Sequence, residues 1–233
     1  MESFVHWISE GLTRLEAVEY YSKKTGKKPV LIIDKDPPHW KIKSLELMGY
    51  RVEDCIQWNG YRAKINELVI CSKRREESRV SIKACSWVKE RILGNIDSYA
   101  ISKIPLSQNI FISRRQTNAR RILNEEEVIV ILAKMDFVTY VLEDIDWQEQ
   151  VKLFAQAKII VAPHGAGLTN MIFSHRATII EIFGQKISHF FYTIAQGLEF
   201  NYGCLFCEVN NENIIVDCEQ LRKIIDKMSN NKL

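Results

Sequence analysis

Short runs of β-branched and other apolar residues alternate along this chain with stretches whose apolar positions recur at helical spacing. That alternation predicts βα units arranged around a mainly parallel sheet. In the first half, Leu12, Leu15 and Val18 fall on one side of a helix predicted over residues 6–21. Val30-Leu31-Ile32-Ile33 reads as a short buried strand. Pro37 and Pro38 suit a helix start, and Gly49 suits its end after Met48. Strands are predicted over 52–58 and 68–71, with Asn59-Gly60 as a turn between them, and a helix over 81–93. The polar segment 95–108, which contains Pro105, is read as a boundary between domains 1–105 and 106–233.

The second half is more regular. Strands are predicted over 109–112, 137–142, 158–162, 178–183 and 202–209, with helices between them. Asn124 is placed as a helix cap ahead of Glu125, Glu126 and Glu127, where the helix dipole favours negative charge. Asp146 with Glu149 has the spacing of a capping box, and Asp217 with Gln220 opens the last helix. The order implies a Rossmann-like domain.

Composition changes this picture little. The 233 residues are 46% hydrophobic and 26% charged, with a formal net charge of +3. That is ordinary for one large or two small globular domains and too mild to imply nucleic acid. No apolar run approaches the roughly 18 residues that span a bilayer, and the N-terminus lacks a signal-peptide pattern. A cytoplasmic protein is expected, with any membrane contact made at the inner face through its substrate. Six scattered cysteines read as reduced thiols. Only Cys204-Leu205-Phe206-Cys207 has a suggestive spacing, and it falls within a strand-like run, where a redox pair is unusual.

The strongest chemical signal is Pro163-His164-Gly165-Ala166-Gly167-Leu168-Thr169-Asn170, which follows the strand Ile159-Ile160-Val161-Ala162. Glycines allow close backbone approach or positive φ, and the N–H groups of a following helix can hold phosphate. Asn170 stands where a dinucleotide fingerprint would need a third glycine, which disfavours a nicotinamide cofactor. Ser113, Arg114 and Arg115 end the first strand of this half, on the rim shared with the glycine loop, and Arg120 and Arg121 follow. Guanidinium groups bind phosphate in bidentate fashion. The alternative is a solvated basic loop. Glu181, inside the apolar strand Ile179-Ile180-Glu181-Ile182-Phe183, needs a partner, either a ribose diol or an arginine. His6 and Glu10, four apart, share one helix face and form a candidate base–orienter pair.

Together these stretches resemble the family 61 glycosyltransferases, which include bacterial polysaccharide-synthesis proteins, plant xylan-decorating transferases and animal transferases that add GlcNAc to proteins. The matching segments are Phe4-Val5-His6-Trp7-Ile8-Ser9-Glu10, Ile112-Ser113-Arg114-Arg115, Arg120-Arg121-Ile122-Leu123-Asn124-Glu125, the run 154–170 and Ile180-Glu181-Ile182. The resemblance implies an α/β, GT-B-like fold of two Rossmann-like halves facing a cleft. Its N-terminal half is expected to be reduced, because the His-x-x-x-acid segment begins at residue 6. The implied function is inverting transfer of a sugar from a nucleoside-diphosphate sugar, expected to be UDP-linked, to a saccharide or glycoconjugate hydroxyl.

The resemblance assigns His6 and Glu10 to catalysis. It assigns Ser113, Arg114, Arg115, the loop from His164 to Asn170 (His164, Gly165, Ala166, Gly167, Leu168, Thr169, Asn170) and Glu181 to the donor. Arginines and helix-terminal N–H groups would stabilise the departing diphosphate, so no metal and no cofactor is required. The alternative function is a non-catalytic nucleotide-sugar-binding or scaffold protein with a truncated acceptor domain.

Overall fold

The computed structural model describes residues 4–76, 79–96 and 101–230. The chain divides into two compact units, Met1–Tyr99 and Ala100–Leu233. Of the polar segment read as a boundary, residues 97–100 lie outside the described residues.

The first unit opens with a nearly unbroken helical path. Helix α1 (Phe4–His6) runs into a π-helical turn at Trp7–Gly11, then a 3-10 turn at Leu12–Arg14, then α2 (Leu15–Thr25). It extends beyond the predicted end because nothing stops it before Gly26, whose φ of 72° is left-handed and closes the helix. Trp7, Ile8, Leu12, Leu15 and Val18 are buried along one side. The Trp7 indole donates to Ser44 Oγ at 2.8 Å, tying this path to α3 (His39–Leu47).

The strands of this unit are weaker than predicted. β1 (Ile32–Asp34) and β2 (Ile56–Trp58) form a two-stranded parallel pair. Val30 and Ile32 are exposed, so the first strand is shorter and less buried than its apolar run implied. Residues 52–54 form a 3-10 turn, and 68–71 join no ladder, so Asn59-Gly60 does not head a hairpin. β3 (Arg75–Glu76) and β4 (Arg79–Val80) are a short antiparallel pair. Ser81 caps α4 (Ile82–Asn95) by accepting from the Ala84 N–H.

The second unit carries a five-stranded, wholly parallel sheet ordered β6-β5-β7-β8-β9. Its strands are β5 (Asn109–Ser113), β6 (Val138–Val141), β7 (Ile159–Pro163), β8 (Thr178–Phe183) and β9 (Asn201–Phe206). All six residues of β8 are buried, as a strand covered on both faces requires. One face packs Phe111, Val161, Ile180, Ile182 and Leu205 against α5 (Glu125–Ala133) and α8 (Cys218–Asn230). The connections that follow β6, β7 and β8 contain α6 (Trp147–Gln156), a 3-10 helix (Ala166–Phe173) and α7 (Phe190–Gly197). Because β5 lies between β6 and β7, the chain leaves β5 in one direction and β7 in the other. The gap between their C-terminal ends is a topological switch point.

The last predicted strand divides. β9 stops at Phe206, and β10 (Glu208–Asn210) pairs with β11 (Asn213–Ile215) as a hairpin. Asn124 does not cap α5 with its side chain. It clasps the chain after β11 instead, its amide accepting from Val216 N at 3.0 Å and donating to Val216 O at 2.9 Å. Asp146 likewise makes no side-chain cap, whereas Asp217 Oδ1 accepts from Gln220 N as predicted.

Glu149, the other half of the expected capping box, turns to Ser102 Oγ (2.5 Å), the Lys103 N–H (3.1 Å) and Lys152 Nζ (3.2 Å). Burial alone would raise its pKa, but these donors outweigh it and hold the carboxyl below its ordinary value. A depressed carboxyl contributes stability at neutral pH that is lost as pH falls through the folded-state value. Glu149→Gln is therefore expected to lower stability at pH 7, with the deficit shrinking below about pH 4.5. Urea unfolding of both proteins across that range tests this; a deficit independent of pH would contradict it.

Candidate functional site

The switch point brings together two segments that the sequence places about fifty residues apart. Ser113 ends β5, and Arg114 turns toward the loop that leaves β7. A methyl group on Gly165 would lie 2.1 Å from Arg114 Nη1 and 3.0 Å from its Cζ. The absence of a Cβ lets the guanidinium lie against the loop backbone, and any side chain here would shift it. The φ of Gly165 is 179°, extended and open to any residue, so of the two reasons for glycine, close approach applies here and positive φ does not. Gly167 is similar: a Cβ there would meet Leu142 Cδ1 at 2.6 Å.

Arg114 is poorly provided with acceptors. Its Nη2 reaches Ala119 O at 3.4 Å, and its buried Nε has no hydrogen-bond partner among the described residues. Burial, then the neighbouring Arg120, push its pKa down, and Glu143 opposes them. A guanidinium does not lose its proton at neutral pH, so a partly desolvated cation remains here that an anion would stabilise. Arg120 Nη1 donates to His164 O at 2.9 Å, which pins the same loop from the other arginine. The 3-10 helix beginning at Ala166 bonds Leu168 N to Gly165 O. The N–H groups of Ala166 and Gly167 precede that bond, at a helix start where intrahelical acceptors are lacking.

Behind the loop lies a buried polar chain set by strand register. Ala162 pairs with Glu181 and Glu181 with Cys204 across adjacent parallel strands. Two residues beyond Ala162 is His164, and two before Cys204 is Tyr202, so all three side chains share one face. Glu181 is fully buried, with Oε1 2.5 Å from His164 Nδ1 and Oε2 accepting from the Tyr202 hydroxyl at 2.5 Å. Burial and the adjacent carboxylate push the Tyr202 phenol far up, so it stays a donor. His164 stacks on Phe183 and meets Phe191 edge-on.

The remaining expected donor residues divide by burial. Ala166 is exposed and Gly167 half-buried, whereas Leu168, Thr169 and Asn170 are buried. Asn170 accepts from the Trp147 indole (3.2 Å) and donates to Gln150 (2.9 Å), fastening the 3-10 helix to α6. Arg115 turns to Ser113 Oγ and Glu125, each at 3.2 Å, and Ser113 donates to Glu125 at 2.7 Å. Sequence reasoning did not find Tyr202, whose role depends on a strand pairing that no local pattern announces.

In the first unit, His6 Nδ1 lies 4.0 Å from Glu10 Oε2, and Arg14 donates to Glu10 Oε1 one turn further on. The three form a ladder along the π-helical turn, where the Leu12 N–H reaches back to Trp7 O. His6 is half-exposed and Glu10 largely buried. Of the aromatic residues that could stack on sugars, Tyr61 is fully exposed and Trp58 partly so, whereas Trp40 packs against Phe4.

Two Asp-x-Asp tripeptides occur, Asp34-Lys35-Asp36 and Asp144-Ile145-Asp146. Asp34 pairs with Lys41 at 2.6 Å, Asp144 accepts from Gln116, and Asp146 lies 3.7 Å from Lys103. Among the described residues no group of three metal-ligating side chains gathers. The Cys204 and Cys207 thiols are pushed up by burial, Cys207 to about 11, so neither is the thiolate a redox pair needs. No helix among the described residues is long and apolar enough to cross a membrane.

The sequence model of glycosyltransferase 61 matches residues 4–180, which include the His6–Arg14 ladder, Arg114 and the glycine loop. The chain belongs to this family. It is also similar to protein O-linked-mannose beta-1,4-N-acetylglucosaminyltransferase 2 of Homo sapiens, 35% identical over 94 residues. The relatives from Canis lupus familiaris and Mus musculus are each 36% identical over 93 residues. The human alignment covers 39% of this chain and only 16% of the relative, so the chain spans a small part of the curated proteins it matches.

Two substitutions test the geometry apart from any activity. Gly165→Leu puts a bulky side chain at a buried position already occupied by the Arg114 guanidinium and is expected to cost about 1–3 kcal/mol of stability as overpacking. Tyr202→Phe leaves one oxygen of buried Glu181 without its donor and is expected to cost about 1–3 kcal/mol. Chemical denaturation measures both; wild-type stability in either variant would contradict the corresponding contact.

Proposed function

We propose that this family member transfers a sugar from a nucleoside-diphosphate sugar, UDP-linked, to a saccharide or glycoconjugate hydroxyl, with inversion. The observation that carries the reading is the Arg114 guanidinium against Gly165 at the switch point, with an unsatisfied buried donor and Arg120 nearby. That cationic rim, beside a helix start, complements a diphosphate. Its charge would oppose the negative charge that builds on the leaving diphosphate as the glycosidic bond breaks. In this reading Ala166 and Gly167 supply backbone N–H groups, and Arg120 holds the loop in place. The His164–Glu181–Tyr202 chain supports the loop from behind. Direct contact of Glu181 with a ribose would require its two present partners to yield.

On the acceptor side, Glu10 is the proposed base, with His6 its neighbour and Arg14 its positioning residue. An inverting transfer needs one such base to take the proton of the attacking hydroxyl. The arrangement proposed is GT-B-like, one unit serving the donor and the other the acceptor. The similarity to N-acetylglucosaminyltransferases makes N-acetylglucosamine the first sugar to try.

UDP is expected to raise the melting temperature, and Arg114→Ala to abolish the rise. Glu10→Gln is expected to keep the UDP shift and lower turnover by about 10²–10⁴-fold. The absence of any nucleotide-dependent shift in the unmodified protein would sink the donor reading. A UDP shift without any turnover, unchanged by Glu10→Gln, would favour the non-catalytic nucleotide-sugar-binding alternative.

A further inference from the structure

The first unit contains a cavity of about 640 Å³ that the donor chemistry does not use. Three parts of the unit line it. The helical path contributes Trp7, Gly11, Arg14, Leu15 and Val18. The strand pair contributes Ile32, Ile33 and Ile56, and the unpaired segment 65–71 contributes Leu68 and Ile70. The volume falls in the range of small-molecule sites, and the walls are mainly apolar. Val30, Ile32, Leu68 and Ile70 are all exposed on it, Ile70 at 79%. Apolar side chains on the concave side of a cavity gain from an apolar occupant what they cannot gain from water.

The charged groups on the lining are Arg14, Lys27 and Lys28 against Glu67 alone. Glu67 accepts from Tyr21 (3.0 Å) and Lys27 (2.9 Å). Arg14, also on the lining, joins the cavity to the candidate base, since it donates to Glu10. Its Nε is buried without a hydrogen-bond partner among the described residues. An occupant that satisfies all of this has an apolar chain and an anionic head, with the head toward Arg14. A flat apolar face would suit another protein; an apolar cavity with cations on its lining suits an amphiphile.

We infer that the cavity holds the chain of a lipid-phosphate-linked acceptor. Its phosphate lies at Arg14 and its sugar hydroxyl is presented to Glu10. This rests on the transferase reading for the word acceptor, but the binding itself does not. The test is calorimetric titration of the full chain with hexyl, octyl and decyl phosphate, inorganic phosphate and decyl glucoside, all below micelle-forming concentrations. Affinity is expected to rise at least about threefold for each added pair of methylenes. Decyl phosphate is expected to exceed both inorganic phosphate and decyl glucoside by about tenfold, from chain and charge respectively.

Leu68→Asp and Ile70→Asp, both on exposed wall positions, are expected to weaken decyl phosphate by about tenfold. Ile101→Asp, exposed elsewhere, should bind as wild type. A flat chain-length series in the unmodified protein overturns the proposal, as does equal binding by inorganic phosphate or by the wall variants. The UDP shift is measured on the same samples. If it is absent while the chain-length series holds, the donor reading falls and the lipid site stands; if it is present while the series is flat, the reverse is true.

Discussion

The geometry at the switch point of the five-stranded sheet depends on one missing side chain. With no Cβ on Gly165, the Arg114 guanidinium lies against the backbone leaving β7, and any larger residue would occupy the space of its Nη1. The contact occurs at the point where the chain departs from β5 and β7 in opposite directions, which is where a parallel α/β sheet leaves a crevice. A cation held there by packing, with one buried N–H unmatched, has its strongest available gain in an anion. The fold thus supplies the place, and the glycine supplies the access.

The loop is held from beneath rather than by its own conformation. Glu181 sits in a strand buried along its whole length, and its charge is tolerated because His164 and Tyr202 take one oxygen each. The same hydrogen bonds fix the His164 ring, while Arg120 fixes the His164 carbonyl. Asn170 anchors the far end of the loop to α6. The glycine run therefore joins two rigid attachments, and its motif has as much to do with packing as with ligand. Leu168, Thr169 and Asn170 belong to the packing part, Ala166 and Gly167 to the accessible part.

The first unit follows a different logic. Its helices are well buried, but its strand pair is short and leaves large apolar side chains open. A two-stranded sheet buries little on its own. The ladder of His6, Glu10 and Arg14 is carried by the well-packed helical path, anchored through Trp7 to Ser44. Beside it, the weakly paired strands form the wall of the cavity. Rigid support for a candidate base and an adaptable apolar wall next to it are compatible demands when they fall on different elements.

Much of the second unit was legible from sequence. β8 was read over the same residues that form it, and β5 and β7 were read to within a residue. These strands carry unbroken apolar runs because both faces of a parallel sheet are covered. The pairing of arginines with a glycine loop on one rim was also legible, since parallel strands point their C-terminal ends the same way. The strand expected at 68–71 failed because an apolar run becomes a strand only when a neighbour pairs with it. The caps expected at Asn124 and Asp146 failed because distant partners took the Asn124 amide and Glu149. By itself, then, the sequence determined which segments are strands and helices in the covered sheet and which residue types lie at its rim. Tertiary structure alone decided that Gly165 accommodates Arg114, that Glu181 belongs to His164 and Tyr202, and that Arg115 belongs to Glu125. Those choices depend on strand order and register, which bring together residues far apart in the chain, and no local spacing encodes them.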